Sequence, residues 1–139
     1  MKLVHGSEAA DKVNAFYQAQ GVRALARDHD LFFLALEVET IFGAVRYCIE
    51  NKVPLLRSMM IDENVRRAGL GSLLLKRFSR FLDDTGTRNV FCVPYAHLEH
   101  FYQSAGFAKV REDSAPGFLQ ARLIEYRQKP AEFILMMRP

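Results

Sequence analysis

The hydrophobic residues of this chain fall into two patterns, short apolar runs and longer segments with an apolar stripe. Short runs rich in β-branched and aromatic residues are typical of strands, and apolar residues at helical spacing are typical of helices. The runs predict strands at residues 2–5, 31–38, 41–49, 53–61, 90–93, 107–110 and 133–137. The striped segments predict helices from Ser7 to Gly21, Leu70 to Gly86, Ala96 to Gly106 and Pro116 to Lys129.

Residues with strong local preferences mark the ends of these helices. Ser7 suits an N-cap, because its hydroxyl can accept a hydrogen bond from a free amide of the first turn. Gly86 suits the position after a helix, where the backbone is often left-handed, and Pro116 suits a first helical turn. The second helix is predicted to bury a stripe formed by Leu70, Leu73, Leu74, Phe78, Phe81 and Leu82.

The order of the elements predicts the fold class. Three strands between residues 31 and 61 follow one another closely, which is typical of an antiparallel meander. A helix then leads to the next strand, and helices and strands alternate afterwards. We therefore predict an α/β (α+β) protein, with a mixed, mostly antiparallel sheet of six to seven strands flanked by about four helices, in a single domain over residues 1–139.

Composition narrows the classes of function. Half of the residues are hydrophobic, and the formal net charge of +3 comes from scattered basic residues, so binding to nucleic acid or to a membrane is not expected. No apolar segment is long enough to span a bilayer and no signal peptide is evident, so we expect a soluble, cytoplasmic protein. Cys48 and Cys92 lie in apolar runs without further ligands at metal-binding spacing, which predicts buried free thiols and no metal site.

The segment Leu56–Leu75 has the most informative pattern of the chain. A strand leads into a short loop with Gly69 and Gly71, and a leucine-rich helix follows. Glycines at a helix start let backbone amides face outward, where they and the helix dipole favour an anion, and Arg66 and Arg67 add charged donors. The loop lacks the lysine of a nucleotide P-loop and the third glycine of a dinucleotide-binding fingerprint.

Two separate motifs resemble those of the GNAT acetyltransferase superfamily. Arg66–Gly71 reads RRAGLG and is similar to the R/Q-x-x-G-x-G/A loop that binds acetyl-CoA in that family. Phe101–Phe107 reads FYQSAGF and resembles the later motif in which a tyrosine precedes Gly-Phe. The motifs occur in the family's order, and the elements between them are those that the family has.

The resemblance implies how the acyl donor is held. In the family, loop amides bind the pyrophosphate of CoA, and the fourth strand separates from the fifth at a bulge, so that pantetheine pairs with the strand backbone. The resemblance thus implies acetyl-CoA as co-substrate and a splay between strands 4 and 5. The donor-binding residues that it implies are Met59, Met60, Ile61, Arg66, Arg67, Ala68, Gly69, Leu70, Gly71 and Ser72.

Tyr102 matches the tyrosine that protonates the departing CoA thiolate in many family members. A phenol is protonated at neutral pH, so it can donate to a developing thiolate. The alternative is a core aromatic residue, because Tyr102 also lies on the apolar stripe of its helix. Tyr95 stands where the family often has an asparagine that contacts the cofactor.

The residue that deprotonates the acceptor amine is not evident, because residues 53–60 contain no acid. Candidate bases elsewhere are Glu37, Glu39, Glu50, His97 and His100, and a water relay is the alternative. Arg57 and His97 are candidates for the acceptor site. Arg57 would bind a carboxylate if its head enters the cleft, and it would be a solvated strand residue if it points outward, which is the orientation that we expect.

The sequence predicts an acetyl-CoA-dependent N-acetyltransferase acting by direct attack on a small-molecule or amino-acid-like amine. One alternative is a protein acetyltransferase acting on lysine or an N-terminal amine. Another is a non-catalytic acyl-CoA-binding regulatory module. The C-terminal segment, with Arg122, Tyr126 and Arg127, is predicted to cover the acceptor site or to form a dimer contact, so both a monomer and a homodimer are compatible with the sequence.

Overall fold

A computed structural model describes residues 2–22, 27, 30–66 and 69–139 of the chain. Its centre is a seven-stranded sheet in the order β1-β2-β3-β4-β5-β7-β6, in which β4 and β5 run parallel and all other neighbours run antiparallel. The strands are β1 (Lys2–His5), β2 (Leu31–Glu37), β3 (Thr40–Glu50), β4 (Val53–Ile61), β5 (Val90–Cys92), β6 (Ala108–Lys109) and β7 (Met136–Arg138). The helices are α1 (Gly6–Ala19), α2 (Leu70–Thr85), α3 (Glu99–Gln103) and α4 (Gly117–Tyr126). The predicted fold class is confirmed.

The meander of β2, β3 and β4 follows the apolar runs closely. Each strand begins and ends within one residue of its predicted bounds. The hairpin between β3 and β4 turns at Asn51 and Lys52, whose φ angles of 50° and 66° are both positive. Two consecutive positive φ angles are typical of a type I′ turn, whose twist matches that of the paired strands.

Helix α1 begins before the predicted cap. It starts at Gly6, so Ser7 lies inside the first turn, and His5 occupies the N-cap position without a side-chain hydrogen bond. The amide of Gly6 instead donates to the carbonyl of Asp30 at 2.8 Å. The prediction of Ser7 as the N-cap is wrong, because α1 follows β1 directly and already begins at Gly6, whose amide donates to a main-chain carbonyl.

Helix α2 ends as predicted, and its buried stripe differs from the predicted one at Leu73. Gly86 follows it with a φ of 65°, in the left-handed conformation. Leu73 is 51% exposed, whereas Leu75 is 1% exposed beside the buried residues Leu74 and Phe78. The prediction is wrong at Leu73, because the sheet covers the opposite flank of the helix.

The C-terminal third departs most from the predicted bounds. A 3₁₀ turn at Ala96–Leu98 precedes the short helix α3, so the predicted helix is divided. Pro116 is the N-cap of α4 and lies before its first turn. The last strand pairs only at Met136–Arg138, nearer the C-terminus than predicted, and Phe133 forms an isolated bridge with Tyr95.

The sheet separates two layers of core. Neighbouring residues of a strand point to opposite faces, so Phe33 and Val45 pack with α2, while Phe32 and Ala44 pack with α1. Helix α4 covers the α1 side of the sheet farther along, where Leu119 and Leu123 are buried. Helices α2 and α3 therefore lie on one face, and α1 and α4 lie on the other.

Candidate active site

The sheet opens between β4 and β5. The two strands pair only through Leu55 and Phe91, so β4 beyond Leu55 has no strand partner on that side among the described residues. The register of β3 with β4 shifts between the pairs Ala44–Met60 and Arg46–Arg57, which leaves one extra residue in β4 at positions 58–59. Ser58 has a φ of 51° at this bulge. The bulge therefore lies at the start of residues 59–61, a stretch of β4 that no described strand pairs with on the side of the gap.

The start of helix α2 lies at the end of β4. Its N-cap, Gly69, has a φ of 77° and no side chain to satisfy the first amides of the helix. The main chain of Leu70, Gly71 and Ser72 therefore carries amides without helical acceptors, at the positive end of the helix dipole. These features fit an anionic phosphate group.

Gly69 and Gly71 differ in what a side chain would meet. At Gly69 the constraint is the left-handed backbone and not a lack of space, since no atom would lie within 4 Å of a Cβ at this position. A Cβ on Gly71 would lie 3.6 Å from Ile61 and 3.7 Å from Phe101, which is ordinary contact. The neighbouring side chains therefore do not demand a glycine at position 71.

Arg66 supports the loop rather than extending freely from it. Its Nε donates to the carbonyl of Ile61 at 3.0 Å, and its Nη2 lies 3.3 Å from the sulfur of Met60. These contacts fix the loop against the end of β4. Arg67 and Ala68, which the sequence places in the same loop, lie outside the described residues.

A cavity of about 90 Å³ lies in the gap between β4 and β5. Its walls come from β4, from the end of β5, from α3 and from α4. The lining includes the polar side chains of Arg57, Ser58, Cys92, Tyr102, Arg122 and Tyr126. No carboxylate and no histidine is found among the described residues of this lining.

Tyr102 reaches this cavity from the α2 and α3 side. The residue is 6% exposed, and its ring packs edge-on against Phe101 and Phe107. Its hydroxyl makes no hydrogen bond with a described residue. Burial raises the pKa of the Tyr102 phenol, so the hydroxyl is protonated at neutral pH and is available as a donor.

Arg57 and Arg122 reach the cavity from the opposite face of the sheet, and Glu50 joins them. Nη1 of Arg57 lies 2.8 Å from Oε1 of Glu50, and Nη2 of Arg122 lies 2.5 Å from Oε2. Burial alone would raise the pKa of the Glu50 carboxyl, but the two guanidinium groups outweigh it and hold that pKa below its usual value. Glu50 is therefore ionised and a weak base.

A second cavity of about 430 Å³ lies on the α1 and α4 face. Arg46 and Asp30 lie in its wall, and Nε of Arg46 donates to Oδ2 of Asp30 at 2.8 Å. Arg122 lines both cavities, while Glu50 lines the second. The ion pair between Glu50 and Arg122 thus lies where the two cavities approach each other.

The remaining candidates from the sequence lie away from the gap cavity. Glu37, Glu39 and His100 are exposed. His97 is exposed in the 3₁₀ turn and stacks on Tyr95, with 5.6 Å between ring centroids. Tyr95 in turn stacks on Phe133 at 4.8 Å, so it does not line the gap.

Sequence reasoning did not identify the cluster of Arg57, Glu50 and Arg122. Glu50 and Arg122 are 72 positions apart, so no local pattern joins them. The available signal was Arg57 itself, a charged residue in an apolar strand. The sequence favours an outward orientation for this side chain, whereas the structure places it in the cavity wall, where Glu50 holds it.

Two further properties concern the described part of the chain. Both cysteines are buried and free, as predicted. Neither a helix suited to crossing a membrane nor a group of three or more side chains suited to holding a metal ion occurs in the ranges that the structure covers.

Comparison with known proteins identifies a family and several structural neighbours. A family model described as an acetyltransferase (GNAT) domain matches residues 4–117. ElaA of Escherichia coli has a similar fold, with a TM-score of 0.72 and 18% sequence identity, and the match covers 99% of this chain and 97% of ElaA. No curated protein sequence matches the chain significantly.

Two other solved structures have the same fold. N-acetylglutamate synthase from Neisseria gonorrhoeae, solved with coenzyme A and N-acetyl-glutamate, matches with a TM-score of 0.68 and 14% identity over 99% of this chain and 34% of that one. The ribosomal-protein-S18-alanine N-acetyltransferase from Escherichia coli matches with a TM-score of 0.57 and 19% identity over 91% of this chain and 75% of that one. At these identities the similarity concerns the fold.

Proposed function

The chain belongs to the GNAT acetyltransferase family, and from this premise we propose that it is an N-acetyltransferase for a small-molecule or amino-acid-like primary amine, with acetyl-CoA as donor. The observation that carries the proposal is the cavity between β4 and β5, which the buried phenol of Tyr102 lines from one face and Arg57 lines from the other. A confined cavity favours a small acceptor over a folded protein. The two free, buried cysteines support a reducing compartment such as the cytoplasm.

The donor would be held by main-chain groups. Bound acetyl-CoA supplies its acetyl group as a reactive thioester. The uncapped amides at the start of α2 would bind the pyrophosphate, within the loop Arg66–Ser72, and the free edge of β4 at Met59–Ile61 would pair with the pantetheine. Main-chain groups near Met59 and Met60 would polarise the thioester carbonyl.

Direct transfer to the amine is supported by the state of Cys92. Cys92 lines the cavity, and a covalent acyl-enzyme on its sulfur would require a thiolate. Burial raises the pKa of the Cys92 thiol far above its usual value, so the thiol stays protonated and is a poor nucleophile. The amine therefore attacks the thioester without an intermediate on the protein.

Tyr102 would complete the reaction by donating its proton to the departing thiolate. It is protonated at neutral pH and has no competing hydrogen bond with a described residue. The amine must lose a proton before it attacks, and no described residue of the cavity lining is a carboxylate or histidine. Glu50 is ion-paired with two arginines, so we assign this proton transfer to water.

The proposal is tested by calorimetric titration with CoA and acetyl-CoA, followed by a thiol-release assay over a panel of amines. Gly71→Glu places a carboxylate at the start of α2, where it would repel a pyrophosphate, so we expect it to abolish CoA binding. Gly117→Glu makes the same change at the exposed start of α4 and should leave CoA binding intact.

Three outcomes separate the candidates. CoA binding with thiol release supports the proposal. CoA binding without thiol release on any amine would indicate the non-catalytic module. An absence of CoA binding at millimolar concentration would refute the donor assignment.

A further inference from the structure

We propose that Arg57 and Arg122, joined by Glu50, bind a carboxylate of the acceptor, so that the substrates are amino carboxylates. The inference rests on the proposed function, because it names the acceptor of the same site. It assigns acceptor specificity to Arg122 and Glu50, which the sequence names only as part of a covering segment and as a candidate base.

The first support is the convergence of two cations on one cavity. Arg57 comes from β4 directly before the bulge, and Arg122 comes from the middle of α4. Each donates through one terminal nitrogen to a different oxygen of Glu50. The acid thus holds the two guanidinium groups beside each other, and both line the gap.

The second support is the charge of the cluster. Two guanidinium groups face one carboxylate, and the described lining of the cavity contains no further acid. The three side chains are only 20–27% exposed, so the excess positive charge is poorly solvated. A bound anion would neutralise it, and a guanidinium has five donors in a planar fork that suits a carboxylate.

The third support is the position of the cluster relative to Tyr102. Tyr102 and the two arginines line the same cavity of about 90 Å³, so an acceptor held by its carboxylate keeps its amine close to the reacting end of the donor. A single small molecule that carries both groups fits this arrangement.

The competing interpretation is that the cluster only joins β3, β4 and α4. Such a structural clip would change stability when it is broken, but it would not distinguish between acceptors. The test must therefore measure discrimination between molecules that differ in the carboxylate alone.

The experiment compares each of a panel of amino acids with its carboxamide, by kcat/KM in the thiol-release assay. The amine of an amino-acid amide is less basic than that of the acid, so more of it is unprotonated at neutral pH. Intrinsic reactivity therefore favours the amide, and a preference for the acid must come from the protein. For the wild-type protein we expect the preferred acid to exceed its amide by about tenfold to a hundredfold.

Variants of Arg57 and Arg122 test whether these residues cause the preference for acids over amides. Arg122→Gln and Arg57→Gln should each reduce kcat/KM for the acid by about tenfold to a hundredfold, mainly through KM, and should leave the amide unaffected. Arg122→Lys keeps the charge without the planar fork and should recover part of the loss. Arg111→Gln is the matched control, because Arg111 forms an exposed ion pair with Asp113 and lines neither cavity.

A binding measurement keeps the inference testable without turnover. Ligand-observed NMR would detect binding of the same acids and amides to the protein with and without CoA, and urea unfolding would show that each variant is folded. Binding of an acid that Arg122→Gln weakens, with its amide not bound, supports the inference even if no turnover occurs.

Two results would overturn the inference. One is equal use of acids and amides in an active enzyme, which would leave the proposed acetyl transfer intact. The other is that no acid of the panel binds in a manner that depends on Arg122. Failure of the proposed function is a different result, since it would appear as an absence of CoA binding or as CoA binding without thiol release on any amine.

Discussion

Nε of Arg46 donates to Oδ2 of Asp30 at 2.8 Å, and the side chains of both residues are at most 5% exposed. Asp30 also accepts a bond from the amide of Arg27 through the same oxygen, and its carbonyl accepts one from Gly6. This ion pair therefore joins the middle of β3 to the segment that precedes β2 and to the start of α1.

We predict that Arg46→Met lowers the free energy of unfolding by about 3–5 kcal/mol, because the Asp30 carboxylate stays buried after it loses the Arg46 cation. Urea unfolding monitored by circular dichroism measures the change. Arg111→Met removes an exposed ion pair with Asp113 and should cost less than about 1 kcal/mol. If both variants lowered the free energy of unfolding by the same amount, burial of the ion pair between Arg46 and Asp30 would not explain its contribution to stability.

Tyr17→Phe should not destabilise the protein. The Tyr17 hydroxyl is buried and has no hydrogen-bond partner among the described residues, so its removal eliminates an unsatisfied polar group. We expect the free energy of unfolding to stay unchanged or to rise by about 1 kcal/mol. If urea unfolding instead showed a decrease of about 1 kcal/mol in the free energy of unfolding, the Tyr17 hydroxyl would have a hydrogen-bond partner.

Gly69→Ala and Gly71→Ala should differ in effect. At Gly69, with its φ of 77°, alanine should cost about 1–2 kcal/mol of stability and weaken CoA binding by distorting the loop. At Gly71, alanine meets only ordinary contacts and adds helix propensity, so stability should be kept. Urea unfolding and CoA titration of both variants measure these effects. Equal losses of stability in the two variants would contradict the special role of the left-handed backbone at Gly69.

Tyr102→Phe should lower the rate of CoA release by about a hundredfold or more while CoA binding is retained. Because burial raises the pKa of Tyr102 above its usual value of 10.0, the wild-type rate should not decline between pH 8 and pH 10 through loss of this proton. Tyr95→Phe removes an exposed hydroxyl outside the cavity and serves as the control. An unchanged rate in Tyr102→Phe would remove the general-acid assignment.

The ion pairs of Glu50 should make stability depend on pH in the acidic range. The pKa of Glu50 in the folded protein lies below its reference value of 4.5, so folding favours the ionised form. This contribution is fully present above the reference value and is lost as pH falls below it through the folded pKa. Glu50→Gln lacks the contribution, so the difference in unfolding free energy between wild type and variant should shrink as pH falls from 7 to 3. If the difference in unfolding free energy stayed constant over this pH range, the ionised Glu50 carboxylate would not be its source.

Much of the fold was predictable from the sequence. The strands β2, β3 and β4 lie within one residue of their predicted bounds, because long apolar runs and the turn at Asn51 and Lys52 are local signals. Helix α2 was also predicted from local signals, and Gly86 marks its end. The C-terminal elements were less predictable, since β7 is defined by pairing with β5 and β6, which are distant in the chain.

The sequence by itself determined the order of the elements, the glycine loop at the start of α2 and the position of Tyr102, because each is carried by residues close together in the chain. Only the tertiary structure decided that Arg57 lines the cavity and that Arg122 and Glu50 join it. Glu50 lies in β3 and Arg122 in α4, and they meet because α4 packs on the face of the sheet from which the Glu50 side chain projects. The proposed position of the donor is thus encoded locally, whereas the proposed recognition of the acceptor arises from folding.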